Sequence, residues 1–234
     1  MILRAALERF LLGWRDDLSP AWRAVLDGID PAFRRVPEEL VLPDDEIIFP
    51  ARRGSPFART PAGGHLFRAL DSIAPDDVRV VVLGPHPYPN VAHATGRSFE
   101  QGGLTAWSTN PTNVLDGLQR IVQAMVSART GRSQYLKGDT GWLLLMGDLQ
   151  KGKIVLDSPP KLFEKLEREG VLFLNTELTR SGEPGDPKQQ IDGHALLWQP
   201  IVERILVYLA TRPAGQVVYL LCGQRSIEVF AQSG

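Results

Sequence analysis

The sequence predicts an α/β fold with three layers, in which helices cover both faces of a short, mainly parallel central sheet. Three nearly continuous apolar runs, Val78–Leu83, Val171–Leu174 and Val217–Leu221, are rich in β-branched residues or leucine. Runs of this length and composition are typical of strands that are covered on both faces. We therefore expect each run to form a buried strand of one sheet.

Helical patterns alternate with these strands. They lie at about Asn113–Ala128, Leu162–Glu169 and Ala195–Ala210. Alternation of strands and helices predicts parallel strands joined by right-handed crossovers. Binding sites in such sheets gather at the carboxyl ends of the strands. The loop after Leu83 and the polar segment that begins at Asn175 are therefore candidate site segments.

The remaining segments predict the domain organisation. Residues 1–40 carry a helical rhythm of apolar residues, with a Ser19-Pro20 helix-start signal, and form the predicted N-terminal helical segment. Residues 41–234 form the predicted α/β domain, which opens with a proline-punctuated connector. Within it, residues 129–160 look like two short apolar segments joined by turns, and we expect a hairpin insertion there.

Composition and charge exclude several classes of protein. The chain has 234 residues, 43% of them hydrophobic, and a net charge of −1, which is ordinary for a globular protein. No apolar run approaches the roughly 18 residues of a membrane span. The single cysteine, Cys222, excludes an internal disulfide framework and a zinc–cysteine cluster. His93 and His194 lack ligand spacing. We therefore expect a cytoplasmic protein without a metal or cofactor.

Positive charge is concentrated just before the first predicted strand. Arg52, Arg53, Arg59 and Arg68 lie close together in sequence, and Lys188 follows a loop rich in glycine and proline. Such a cluster indicates either a solvated surface or contacts with phosphate groups. A net charge near zero argues against general nucleic-acid binding but leaves room for one basic face.

The loop after the first strand carries a motif. It reads G-P-H-P-Y-P-N-V-A-H-A-T-G-R-S-F over residues 84–99. It resembles the water-activating loop of the uracil-DNA glycosylases, G-Q-D-P-Y-H-G-P-G-Q-A-H-G-L-C-F. The matching residues, without a gap, are Gly84, Pro87, Tyr88, Ala94, Gly96 and Phe99.

Two further segments extend the resemblance. E-G-V-L-F-L-N-T-E-L-T at 169–179 is similar to the family's G-V-L-L-L-N-x-x-L-T, and V-V-Y-L-L-C-G at 217–223 is similar to V-F-L-L-W-G. The resemblance runs in order from about residue 45 to the end. It implies a uracil-DNA glycosylase-like fold, DNA as the partner, and no metal or cofactor.

The resemblance also implies roles for individual residues. Phe99 would stack on a flipped pyrimidine, Asn175 would bond its Watson–Crick edge, and Tyr88 would crowd its C5 position. An extruded base does need an aromatic face and a polar amide in place of its lost stacking and pairing. Taken alone, Phe99 is also typical of a core aromatic residue and Asn175 of a turn residue. Arg52, Arg53 and Lys188 are the predicted DNA contacts.

The sequence departs from the family pattern at the loop residues that take part in catalysis and base recognition. His86 replaces the family's aspartate, Pro85 its glutamine and Pro89 its histidine. An anion about 5 Å from a cation-like sugar contributes about 3 kcal/mol, or a factor of about 10² in rate. A neutral His86 imidazole can accept a proton from water but cannot supply that charge. Pro85 has no N–H to offer the base, although it stays a predicted base-binding residue.

Two carboxyl-terminal features bear on the chemistry. Glu177 follows Asn175 by two residues and could supply a carboxylate from another position. The family has a further strand and an H-P-S-P-L loop, with a histidine and a leucine wedge, beyond the point where this sequence stops. An exposed hydrophobic sheet edge favours aggregation, because it can pair with another chain. We therefore expect further chain, a protein partner or the N-terminal helices to cover that edge.

Three functions follow in order of preference. The first is a DNA N-glycosylase that acts on uracil or a modified pyrimidine and uses His86, the predicted catalytic residue, or Glu177 to manage water. The second is a catalytically degenerate DNA-binding or protein-interaction module on the same fold. The third, an unrelated nucleotide-binding α/β protein, is disfavoured because no GxxxxGK[ST] loop follows any predicted strand.

Overall fold

The structure, a computed structural model, describes residues 1–182 and 188–233, with the side chains of residues 188–191 outside the description. The described residues form five strands in chain order: β1 Ile48–Phe49, β2 Val80–Gly84, β3 Val171–Asn175, β4 Arg180–Ser181 and β5 Val218–Leu221. They also form seven α-helices: α1 Leu3–Phe10, α2 Pro20–Val25, α3 Asp116–Thr130, α4 Gly138–Gln150, α5 Pro159–Arg168, α6 Lys188–Thr211 and α7 Gln224–Gln232. Short 3-10 turns connect several of them.

The central sheet has three parallel strands in the order β3-β2-β5. All three predicted strands are confirmed, with ends that differ from the apolar runs by one or two residues. Gly84 pairs with Asn175 at the carboxyl ends of β2 and β3. This register brings the two candidate site segments to the same edge of the sheet.

Helices cover both faces of the sheet, which confirms the predicted three-layer α/β architecture. Side chains alternate between the faces of a strand, so Val81 and Leu83 join one core cluster while Val82 joins the other. The first cluster contains apolar residues of α1, α2, α6 and α7, including the buried Trp22 and Trp198. The second contains those of α3, α4 and α5.

The N-terminal helices share the first core with the sheet. Leu3 and Trp22 are fully buried in it together with Ile201 of α6. A Cβ atom at Gly193 of α6 would lie 2.7 Å from a methyl carbon of Leu40, so the backbone of α6 runs close to the N-terminal segment. The division of the chain at residue 40 stays a prediction.

The expected hairpin insertion at residues 129–160 is wrong. This segment contains α4, which packs beside α3. Its Trp142, Leu145 and Met146 are buried at helical spacing in the second core. The neighbouring Leu143 and Leu144 are exposed, and they make the run look continuously apolar and hide the helical period.

Two further findings complete the fold. The two-residue strands β1 and β4 pair antiparallel, an element that the sequence pattern did not predict because each is too short for periodicity. Within the described residues, no helix is both long enough and apolar enough to cross a membrane.

Candidate active site at the carboxyl end of the sheet

The loop that follows β2 is held by the chain that follows β3. The Thr176 N–H donates to the Gly84 carbonyl at 2.8 Å, and the Glu177 N–H donates to the Pro85 carbonyl at 3.0 Å. The Thr176 hydroxyl also donates to the Pro85 carbonyl at 2.6 Å. These bonds fix the start of the loop beside Asn175.

A cavity of about 200 Å³ lies between this loop, the end of β3 and Gly117. It brings together the five residues for which the sequence predicts base binding or catalysis: Pro85, His86, Tyr88, Phe99 and Asn175. The other lining residues are Pro87, Ala94, Thr95, Gly96, Arg97 and Gly117. Asn175 is only 3% exposed, so its side chain lines the cavity while being shielded from bulk solvent.

Phe99 and Asn175 meet at Gly84. A Cβ atom at Gly84 would lie 3.0 Å from Asn175 Oδ1 and 3.2 Å from Phe99 Cε2, so glycine leaves room for both side chains. Phe99 has a φ of 61°, a conformation that non-glycine residues rarely adopt. Such strained residues cluster at functional sites, where the surrounding structure holds them in place.

Tyr88 is held against Phe99. Its hydroxyl donates to the Phe99 carbonyl at 3.2 Å. Burial raises the pKa of Tyr88, so the phenol stays protonated and remains a hydrogen-bond donor. An aromatic ring, a fixed phenol and a buried amide therefore surround one small cavity.

Comparisons with known proteins point to one family. No protein-family profile matches the chain. A uracil-DNA glycosylase of Bordetella petrii is 28% identical over 213 residues, covering 88% of this chain and 64% of that protein. One of Varicella-zoster virus is 28% identical over 166 residues, covering 70% of this chain and 42% of the viral protein. The chain thus spans less than two thirds of the length of these relatives.

Solved structures show the same fold. The wild-type UNG from Nitratifractor salsuginis is similar with a TM-score of 0.60 and 19% identity, covering 95% of this chain and 80% of that one. A mimivirus UNG variant in complex with UGI gives a TM-score of 0.54 and 15% identity, covering 94% and 70%. The chain is thus similar in sequence to uracil-DNA glycosylases and shares the fold of these solved structures.

This uracil-DNA glycosylase-like chain presents a neutral imidazole at the cavity. His86 Nδ1 lies 3.0 Å from the Pro87 carbonyl, which can only accept, so Nδ1 carries the proton and Nε2 has a free lone pair. The pKa of His86 is lowered mainly by burial, and positively charged Arg180 lowers it further. At neutral pH the side chain can therefore accept a proton.

Pro85 takes part in hydrogen bonding through its backbone carbonyl, because proline has no N–H. That carbonyl accepts one hydrogen bond from the Thr176 hydroxyl and one from the Glu177 N–H. Because proline lacks an N–H, this wall of the cavity offers no backbone donor at residue 85.

Glu177 is buried beside the site without lining the cavity. Its side chain is 4% exposed, and Arg225 Nε of α7 lies 3.9 Å from Oε1. Burial raises the pKa of Glu177 to about 8, against smaller opposing effects of Arg225 and Arg180. The use of Glu177 as a substitute catalytic carboxylate is therefore not supported by its position.

Arg97 lines the cavity although the sequence did not single it out as a site residue. Its guanidinium donates to Glu167 Oε2 at 2.5 Å and to Glu100 Oε1 at 3.1 Å, and all three residues are buried. The loop motif could have predicted that Arg97 lies at the site, because Arg97 stands between the matching residues Gly96 and Phe99. Gly117 lies outside every motif, and nothing in the sequence indicates its place.

Two of the three predicted DNA contacts, Arg52 and Arg53, do not line the cavity. Arg52 pairs with Asp17 and donates to the Phe10 carbonyl at 2.9 Å, and Arg53 pairs with Asp71. Lys188 begins α6, and its side chain lies outside the described residues. DNA contact by these three residues stays a prediction.

The two histidines without ligand spacing have structural partners. His93 Nδ1 lies 3.1 Å from the Gly102 carbonyl, and buried His194 bonds to Thr179 and Ser181. In the part of the chain that the structure describes, no group of three or more histidine, cysteine, aspartate or glutamate side chains could hold a metal ion.

Proposed function

We propose that this protein is a DNA glycosylase of base-excision repair that binds DNA, takes a flipped pyrimidine into the cavity and hydrolyses the N-glycosidic bond of uracil or a modified pyrimidine. The observation that carries the proposal is the convergence of Phe99, Asn175 and His86 on one cavity. The named relatives support it, since the proteins from Bordetella petrii and Varicella-zoster virus are uracil-DNA glycosylases.

The size of the cavity suits a single base. Its volume of about 200 Å³ is below the roughly 300–1,000 Å³ of pockets that hold drug-sized ligands. Flipping a base costs a few kcal/mol of lost stacking and pairing. Stacking on Phe99, worth about 1–3 kcal/mol, and hydrogen bonds to the Asn175 amide would offset that cost.

His86 is the proposed catalytic residue. Its free Nε2 would accept a proton from a water molecule as the water oxygen bonds to the sugar C1′, while the electrons of the glycosidic bond leave with the base. A neutral imidazole does not oppose the cation-like sugar, whereas a protonated one would. Excision should therefore fall as pH decreases through the lowered pKa of His86, with a midpoint below the ordinary 6.5.

One observation favours the second function, a DNA-binding module that does not cleave. No aspartate or glutamate lines the cavity within the described residues. The missing anion would lower the rate by a factor of about 10². A protein of this kind would retain base-dependent binding without measurable excision.

An excision assay tests the proposal. The protein is incubated with single-stranded and duplex oligonucleotides that carry uracil or modified pyrimidines, and abasic sites are then cleaved with alkali and sized on a gel. We expect excision that is abolished by Asn175→Ala and by His86→Ala, and raised up to about 10²-fold by His86→Asp. His93→Ala is the matched control, because His93 is half-buried in the same loop but does not line the cavity.

The outcomes separate the two functions. Excision that survives Asn175→Ala would contradict the base-binding role of that residue. No excision by the wild type, together with base-dependent binding and a gain in His86→Asp, would assign the chain to the non-cleaving binders. Absence of both excision and base-dependent binding would overturn the proposal.

A further inference from the structure

We propose that Gly117 is a positioning residue for Phe99, and that it forms with Gly84 a two-glycine slot that sets where the aromatic ring stands in the cavity. The consequence for base binding rests on the proposed function, in which Phe99 stacks on the flipped pyrimidine. The slot itself rests on the contacts around the ring.

The two glycines approach opposite sides of the ring. A Cβ atom at Gly117 would lie 3.1 Å from both Cδ1 and Cε1 of Phe99. A Cβ atom at Gly84 would lie 3.2 Å from Cε2, across the ring. Ordinary van der Waals contact begins at about 3.4 Å. The ring therefore lies between two stretches of backbone that carry no side chain, the end of β2 and the first turn of α3.

Tyr88 ties the same elements together. Its hydroxyl donates to the Phe99 carbonyl at 3.2 Å. The same hydroxyl oxygen would lie 3.8 Å from a Cβ atom at Gly117, in the first turn of α3. The hydrogen bond helps to hold the backbone of Phe99 in its unusual conformation, with a φ of 61°. Helix α3, Tyr88 and Phe99 thus act as one unit.

A methyl group at position 117 would disturb this unit without harming the helix. Gly117 has no positive φ, so alanine fits its backbone conformation, and alanine forms helix better than glycine. The methyl carbon would stand 3.1 Å from one edge of the Phe99 ring, closer than ordinary van der Waals contact. The ring would have to move by a few tenths of an ångström, and its stacking surface would move with it.

The first test compares base-dependent binding. Affinity is measured for a duplex that carries a cleavage-resistant 2′-fluorinated deoxyuridine and for the same duplex with a tetrahydrofuran abasic site. In Gly117→Ala we expect the preference for the base-containing duplex to fall about tenfold, within the range of base stacking, while affinity for the abasic duplex is unchanged. Gly147→Ala is the matched control, because Gly147 lies in α4 with nothing within 4 Å of its added Cβ. An undiminished preference in Gly117→Ala would overturn the inference.

A second variant, Tyr88→Phe, tests the same inference in case Gly117→Ala does not fold. Tyr88→Phe retains the ring and removes only the hydroxyl that holds the Phe99 carbonyl. We expect the same direction of change, a weaker preference for the base-containing duplex with unchanged affinity for the abasic one. A Tyr88→Phe protein with wild-type preference would contradict the coupling between Tyr88 and Phe99.

A crystal structure of Gly117→Ala without DNA tests the slot independently of base binding. We expect the Phe99 ring to be displaced relative to the wild type while Gly147→Ala leaves it in place. A ring in the wild-type position would overturn the inference even if binding changed. If the wild type does not prefer the base-containing duplex, the proposed function fails, and the ring position still decides whether the slot exists.

Discussion

At the scale of single residues, burial decides the ionisation of the groups around the cavity. Glu177 is the clearest case, because burial raises its pKa from 4.5 to about 8 even though Arg225 lies 3.9 Å away. The folded protein therefore holds a proton that the unfolded chain releases. As pH rises from about 4.5 to about 8, the free energy of unfolding falls, and above pH 8 this contribution levels off.

Replacement of Glu177 by glutamine should remove this dependence. We expect the free energy of unfolding of the wild type to lose on the order of 3 kcal/mol more than that of Glu177→Gln between pH 5 and pH 8. Urea denaturation at both pH values measures the difference. Glu228→Gln is the control, because Glu228 is also 3.9 Å from Arg225 but 46% exposed. Equal pH dependence in the wild type and Glu177→Gln would show that Glu177 is not held in its protonated form.

At the scale of elements, a buried ion pair joins the cavity loop to α5. Arg97 Nε donates to Glu167 Oε1 at 3.0 Å and Nη2 donates to Oε2 at 2.5 Å, a two-bond pairing in which both side chains are at most 5% exposed. Removing one partner of a buried ion pair leaves the other charge buried without compensation, which lowers the free energy of unfolding. Replacing both partners with apolar residues can leave the free energy of unfolding nearly unchanged.

A double-mutant cycle tests this link. We expect Glu167→Leu alone to lower the free energy of unfolding by about 3 kcal/mol, because Arg97 would lose one of its two carboxylate partners among the described residues and keep Glu100. The combination with Arg97→Met should cost less than the sum of the single changes. The measurement is denaturant unfolding of the three variants. Additive losses would show that the two residues are not coupled.

The sequence allowed the sheet and most of the cavity to be predicted, for identifiable reasons. The apolar runs that became β2 and β3 are buried on both faces, so their composition carries a clear signal. The motif placed Tyr88, Phe99 and Asn175 because its matching residues keep their spacing. Their functional roles stay predictions.

Other elements could not be read from the sequence because their signals depend on tertiary contacts. Helix α4 exposes Leu143 and Leu144, which conceal its period. The partners of Arg52 and Arg53, Asp17 and Asp71, are 35 and 18 residues away in sequence. The contact of Gly117 with Phe99 exists only because the first turn of α3 packs on the Phe99 ring in the folded protein.

At the scale of the whole molecule, the site and a strand with one unpaired edge within the described residues lie on the same sheet. β5 forms an edge of that sheet, and its Val218 and Leu220 are 58% and 48% exposed. Exposed apolar edge strands are templates for association with other chains. A protein partner on this edge stays a prediction.

A charged residue on the edge strand should lower self-association. We expect Val218→Lys to reduce light scattering of concentrated protein, because lysine opposes edge-to-edge pairing, with the free energy of unfolding changed by less than about 0.5 kcal/mol. Leu12→Lys is the control, since Leu12 is 82% exposed and lies outside the strands. Equal scattering by Val218→Lys and the wild type would contradict the account of this edge.

The most direct test of the central claim is a crystal structure of the protein with a duplex that carries a cleavage-resistant 2′-fluorinated deoxyuridine. We predict that the uracil ring occupies the cavity, stacks on Phe99, and bonds to the Asn175 amide, with His86 Nε2 facing the sugar C1′. A uracil that remains stacked in the duplex, with the cavity untouched, would contradict the claim that this cavity receives a flipped base.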